Sequence, residues 1–142
     1  MRRIIAGQQV VDWVAKRTSE FGSYGAAVGI GIAADGEIIA GVAYNDYNGA
    51  QMCMHVAALP RALWLDRSTL AAFFGYPFKH VNRVTALVGE GNKPSRRLVE
   101  GVGFELECSL RDAHPTGRML VYRMFRNQCK WIEARDEQKR AA

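Results

Sequence analysis

Cysteine is scarce: Cys53, Cys108 and Cys129 stand alone, with no Cys-x-x-Cys pair and no zinc-ligand spacing to a histidine. An odd set of isolated thiols excludes a disulfide framework, argues against structural zinc and points to a reducing, cytoplasmic compartment. No apolar run approaches the roughly 18 residues of a membrane span, and the opening MRRIIAGQQ has too short an apolar stretch for an export signal, so neither a membrane nor secretion is expected. Charge of one sign is also limited, with 19 Lys+Arg against 14 Asp+Glu. The excess is spread along the chain rather than gathered into a basic arm, so nucleic acid is not expected as a partner, although a phosphate-bearing ligand suits the positive balance. His-Glu-x-x-His is absent, Gly29-Ile-Gly31 lacks the third glycine of a dinucleotide fingerprint, and the stretch GEGNKPS fails the phosphate-loop spacing.

What remains is an ordinary folded chain of 142 residues with 49% hydrophobic and 23% charged side chains, a length that suits one domain. A short strand is expected near 3–6, then an amphipathic helix over 8–21, since Val10, Val11, Val14 and Phe21 recur at helical spacing. Two apolar runs separated by Asp35-Gly36 predict an antiparallel hairpin over 26–33 and 37–45, because both turn residues tolerate positive φ. A turn at 47–49 leads to a third member of this meander at 51–57. The period then changes, predicting a helix over 66–74 with Asp66 or Ser68 as its cap. A strand at 83–90, a loop, a proline-started helix closed by the glycines of Gly101-Val102-Gly103, and strands at 104–110 and 118–125 complete the order. Residues 127–142 read as a helix or tail, mostly solvated. Trp13, Trp64, Phe73, Phe74 and Phe78 are spaced as core, and His80 and His114 as isolated surface residues. The fold class is α/β (α+β): one mixed, mostly antiparallel sheet flanked by helices.

This order, together with GNKPSRRLVEGVGFELE, resembles the GNAT superfamily of acyl-CoA-dependent N-acetyltransferases. The stretch supplies Asn92, Ser95 and Leu98, then Gly103-Phe104, and a strand opening at 105–107. The likeness spans roughly residues 3–126, and GVAYNDYNGAQMCMHVAA resembles small GNAT-type proteins of bacteria and their phages. It implies that residues 1–126 form the acyltransferase domain, that the parallel strands at 51–57 and 83–90 splay apart, and that the pantetheine arm of acetyl-CoA fills the wedge as an added strand. The pyrophosphate is then expected at the start of the following helix, near Asp66, Arg67 and Ser68. Val56 and Ala57 of the splayed strand and Asn92, Ser95 and Arg97 after the second complete the cofactor-binding set. The family's phosphate-loop glycines are missing from residues 61–67, and its strand glutamate and helix tyrosine fall at Cys53 and Val99.

The reaction implied is direct attack of an amine on the thioester in a ternary complex, which needs a proton acceptor and a donor for the leaving thiolate. His55, on the face of Cys53 two residues on, is the candidate base or else a histidine satisfied within the sheet. Tyr122 is the candidate acid, with Tyr44 and Tyr47 as alternatives, or else a packed aromatic. Glu90 is a second candidate base or a surface carboxylate. No metal is expected. The partners implied are acetyl-CoA and an amine acceptor of unknown identity, with a homodimer left open. The alternative is a non-catalytic module of the same fold that binds CoA or another protein.

Overall fold

The computed structural model describes residues 1–19, 21–60 and 66–132. The elements run β1 (Arg2–Ala6), α1 (Gln8–Thr18), β2 (Val28–Ala34), β3 (Glu37–Asn45), β4 (Gln51–Ala58), α2 (Arg67–Gly75), β5 (Arg83–Gly89), α3 (Lys93–Val102), β6 (Glu105–His114) and β7 (Gly117–Phe125), with 3₁₀ turns at Pro77–Lys79 and Arg126–Gln128. They form one seven-stranded sheet in the order β1-β2-β3-β4-β5-β7-β6, antiparallel throughout except for the β4–β5 pair. Asp35 and Gly36 take φ of 52° and 84°, the geometry a two-residue hairpin demands.

The sheet separates two apolar layers. Val10, Val11 and Val14 of α1 meet Ala43 and Ala57 on one face. On the other, α2 and α3 bury Leu70, Phe73, Phe74, Val99 and Val102 against Val42, Met54, Val84 and Tyr122. The helix α1 sits unusually close to the strands because glycine lies beneath it. A Cβ at Gly29 would stand 2.8 Å from both the Gly7 carbonyl oxygen and the Val11 nitrogen, and one at Gly41 would stand 2.9 Å from Val10 Cγ1. Gly29-Ile-Gly31 is thus a trough for a helix.

Three expectations change. First, α1 stops at Thr18, and Phe21, expected on its buried face, is 94% exposed. Short hydroxyl side chains compete with the helix there: Thr18 Oγ1 donates to the Val14 carbonyl, Ser19 Oγ donates to the Ser23 carbonyl and accepts from Phe21 N–H. Second, the polar loop expected after residue 110 is strand as far as His114, broken by an irregularity in register and by Asp112 at φ 57°. Third, the stretch after β7 is anchored as far as Ile132: Asn127, Gln128 and Lys130 are exposed, but Cys129 and Ile132 join the main core, and Trp131 Nε1 donates to the Val102 carbonyl at 2.7 Å. Residues 133–142, and Trp64 with the rest of 61–65, lie outside the described residues. Trp13 is only half-buried, whereas Phe73, Phe74 and Phe78 are core.

Candidate active site

The site begins where a sheet stops. Only three residue pairs join the parallel strands β4 and β5: Gln51 with Arg83, Met52 with Val84 and Cys53 with Thr85. Side chains stitch this short ladder, as Thr85 Oγ1 donates to Gln51 Oε1 at 2.8 Å and accepts from Arg83 Nε at 3.1 Å. Beyond it each strand keeps its outer neighbour, β4 staying on β3 up to Ala58 and β5 on β7 up to Gly89. Strand twist on the two sides then draws them apart. The result is a cleft of about 490 Å³, walled by Met54, His55 and Val56 on one side and by residues 86–89 on the other. Asn92, Ser95 and Leu98 line one mouth, and Thr18, Phe21, Tyr24 and His114 the other.

His55 is the histidine that β4 brings to the wedge. Its ring stacks on Tyr24 at 4.0 Å and 20°, and its Nε2 lies 2.9 Å from Asn45 Oδ1. An amide oxygen can only accept, so the neutral ring carries its proton on Nε2 and its lone pair on Nδ1. Burial pushes its pKa down to about 4 against the opposing pull of the Asp46 carboxylate. His55 is therefore neutral and ready to accept at pH 7, but is a weaker base than a free imidazole. Cys53, below it on the same face, is buried, and desolvation followed by Asp46 raises its thiol to about 11. A thiol protonated at neutral pH is neither base nor nucleophile.

Asn92 caps α3. Its Oδ1 accepts from Ser95 N–H at 3.2 Å, and its own N–H donates to the Gly89 carbonyl at 3.0 Å, tying the end of β5 to the first turn of the helix. Asn92→Ala is expected to cost about 1 kcal/mol of stability, read as a lowered urea midpoint at unchanged slope. Ser95 lines the cleft beside it, and Arg97 is exposed on α3 outside the lining. Asp66 caps α2 by accepting from Thr69 N–H at 2.8 Å, and that backbone bond holds its carboxyl below the usual range. Its carboxylate thus takes a helix amide that a phosphate would otherwise meet. Arg67 donates to the Lys130 carbonyl at 3.2 Å, and Ser68 is exposed; neither lines the cleft.

The other candidates stand apart. Ala57 faces α1 on the buried side of β4. Tyr122 is 1% exposed and donates to Glu100 Oε2 at 2.6 Å, and burial raises its pKa. Glu90 is exposed and its Oε1 accepts from Arg118 N–H at 3.2 Å, closing the end of the β5–β7 ladder. Tyr44 donates its hydroxyl to the Phe73 carbonyl.

Tyr24 and His114 are among the cleft residues that sequence alone did not place there. Tyr24 comes from the α1–β2 connection, where its hydroxyl bonds to that of Thr18. His114 lies across Gly89 so closely that a Cβ there would stand 2.7 Å from its ring. Its Nδ1 accepts from Thr116 N–H at 3.2 Å. The Pro115-Thr116-Gly117 turn signal could have placed His114 at a hairpin end, but only the sheet order puts that end over β5. Among the described residues no three His, Cys, Asp or Glu side chains gather as a metal site, and no helix is long and apolar enough to cross a membrane.

No sequence-family profile and no curated protein matches the chain. Solved structures do. The ribosomal-protein-S18-alanine N-acetyltransferase of Escherichia coli superposes with a TM-score of 0.67 at 15% identity, over 88% of this chain and 94% of that one. A GNAT family acetyltransferase from Elizabethkingia anophelis, with acetyl-CoA bound, gives 0.69 at 11% identity, over 87% and 97%. A probable acetyltransferase gives 0.61 at 17% identity over 71% of this chain, which spans 63% of that one. At these identities the likeness is one of fold.

Proposed function

We propose that this chain, which has the GNAT fold, transfers an acetyl group from acetyl-CoA to an amine by direct attack in a ternary complex. The observation that carries the reading is the parting of β4 and β5 after Cys53 and Thr85, which leaves a cleft of about 490 Å³ open from α3 to the α1–β2 connection. The pantetheine arm would run beside β4 at Val56, using backbone groups that β5 no longer pairs, and an arm seated so would complete the sheet. The thioester would then lie near His55, with Asn45 fixing the tautomer and Tyr24 the ring plane. His55 Nδ1 would take the proton of the attacking amine, directly or through water, as the C–N bond forms and the thioester C–S bond breaks, and the proton would then pass to the departing CoA thiolate. Asn92 and Ser95 would hold the loop beside the arm, and Arg67, Ser68 and Arg97 would supply hydrogen bonds and charge for the phosphates. Asp66 would serve as cap alone.

A second reading keeps the cleft and drops the chemistry: a non-catalytic module that binds CoA or a protein. It is favoured by the weakened base at His55 and by Tyr122, whose hydroxyl is committed to Glu100. Calorimetry with acetyl-CoA separates both from a cleft without function, since both expect a dissociation constant in the micromolar range and no binding at millimolar ligand overturns both. Mass spectrometry of a broad panel of amines incubated with acetyl-CoA then decides between them: an enzyme-dependent gain of one acetyl group supports transfer, and binding without product supports the module.

A further inference from the structure

A second cavity, of about 670 Å³, lies at the ends of β3 and α2. Its walls are rings: Tyr44, Tyr47, Tyr76 and His80 line it, with Met52 beside them, and Asp46 is the carboxylate among them. No lysine or arginine lines it among the described residues. Tyr44 and Tyr76 meet at 4.9 Å and 56°, and Tyr76 meets His80 at 5.2 Å and 62°, so the rings form a corner rather than a stack. The corner is anchored, because Tyr44 is buried and its hydroxyl is tied to the Phe73 carbonyl. Asp46 takes the left-handed conformation at φ 54°, and its carbonyl accepts from Gln51 Nε2 at 2.9 Å, which clamps the turn that presents it.

A hollow lined by tyrosine and histidine rings, with one carboxylate in its lining, has the chemistry that receives an organic cation. The faces carry the negative end of the ring quadrupole, and the carboxylate offers a charge-assisted hydrogen bond. A neutral apolar guest could use the rings but would desolvate Asp46 without a return. The hollow also adjoins the cleft: Asn45 lines it, and Asn45 Oδ1 is 2.9 Å from Nε2 of His55, which lines the cleft. The negative charge of Asp46 is felt at both Cys53 and His55.

We propose that this cavity binds a primary organic ammonium, with Asp46 as its counter-ion and Tyr44, Tyr47 and Tyr76 as its walls, and that it receives the cationic body of the acceptor. The word acceptor rests on the acyl-transfer reading; the cation site does not. The probes are benzylamine and its neutral counterpart benzyl alcohol, titrated onto the full chain by calorimetry and by NMR of the aromatic side chains. Benzylamine is expected to bind at least tenfold more tightly than the alcohol and to shift the ring signals of Tyr44, Tyr47 and Tyr76. Asp46→Asn, which keeps a residue tolerant of the left-handed backbone, is expected to weaken benzylamine about tenfold and to leave the alcohol unchanged. Equal affinity for the two probes, unaltered benzylamine binding in Asp46→Asn, or shifts confined to Tyr24 and His114 would each overturn the site. Acetyl-CoA added to benzylamine-saturated protein should bind as it does to the free protein, and mutual displacement would overturn a separate acceptor pocket. If acetyl-CoA fails to bind even the free protein while benzylamine behaves as expected, the transferase reading is lost and the cation site stands.

Discussion

Val56→Trp is expected to weaken acetyl-CoA binding by at least about 100-fold, near 3 kcal/mol, while the protein stays folded. Val56 lies three residues beyond the last β4–β5 pair, half-buried, where it both lines the cleft and packs against the edge of the main core. An indole there has the cleft beside it to expand into. Overpacking costs about 1–3 kcal/mol when added atoms have nowhere to go, but here they fill the wedge itself. The arm of the cosubstrate and the indole compete for one volume, and binding suffers the whole loss. Calorimetry reads the affinity, and a thermal midpoint within a few degrees of the parent shows that the fold survived. Undiminished affinity in a folded Val56→Trp protein would place the ligand elsewhere and remove the cleft from the argument.

The wedge itself was expected from the family resemblance, whereas the order of the elements was legible because local signals agreed with one another. Asp35-Gly36 fixes a hairpin through φ alone, and the change of period after Pro60 marks a helix between the strands at 51–57 and 83–90. Asn92 could be read as a cap because its reach is three residues. The parts that stayed hidden depend on contacts distant in sequence. His114 meets Gly89 only because β7 lies between β5 and β6, and Tyr122 faces α3 because its partner is Glu100. The end of α1 was misjudged for a local reason: the apolar period continues to Phe21, while Thr18 and Ser19 draw backbone bonds to their own hydroxyls. Trp131 and Ile132 looked solvated because no period leads to them, yet one indole bond to Val102 and one buried aliphatic group seat them on the core.

Acidification provides the second large effect, and His55 carries it. In the unfolded chain a histidine titrates near 6.5, whereas in the folded protein burial holds His55 to about 4. Between those values the unfolded state binds a proton that the native state refuses, so stability falls as the pH drops. The contribution is intact above about pH 7, is lost progressively toward pH 4 and levels off below, with a total of about 3 kcal/mol from the two pKa values. The carboxyls of Asp66 and Glu107 are also held low, the first by the α2 cap and the second by Arg83, and they destabilise the fold in acid as well. A difference measurement isolates the histidine: urea unfolding of the parent and of His55→Gln, compared from pH 7.5 to 4. The variant, which has no imidazole to protonate, is expected to lose about 3 kcal/mol less across that interval. Parallel curves would mean that His55 titrates in the fold as it does in the open chain. The same pKa governs its chemical use, because a base that is neutral down to about pH 4 gives a rate without an acid limb near 6.5 from this residue. If turnover falls with an apparent pKa near 6.5 while the stability difference keeps its expected form, the proton acceptor is another group, and His55 serves only to position what lies in the wedge.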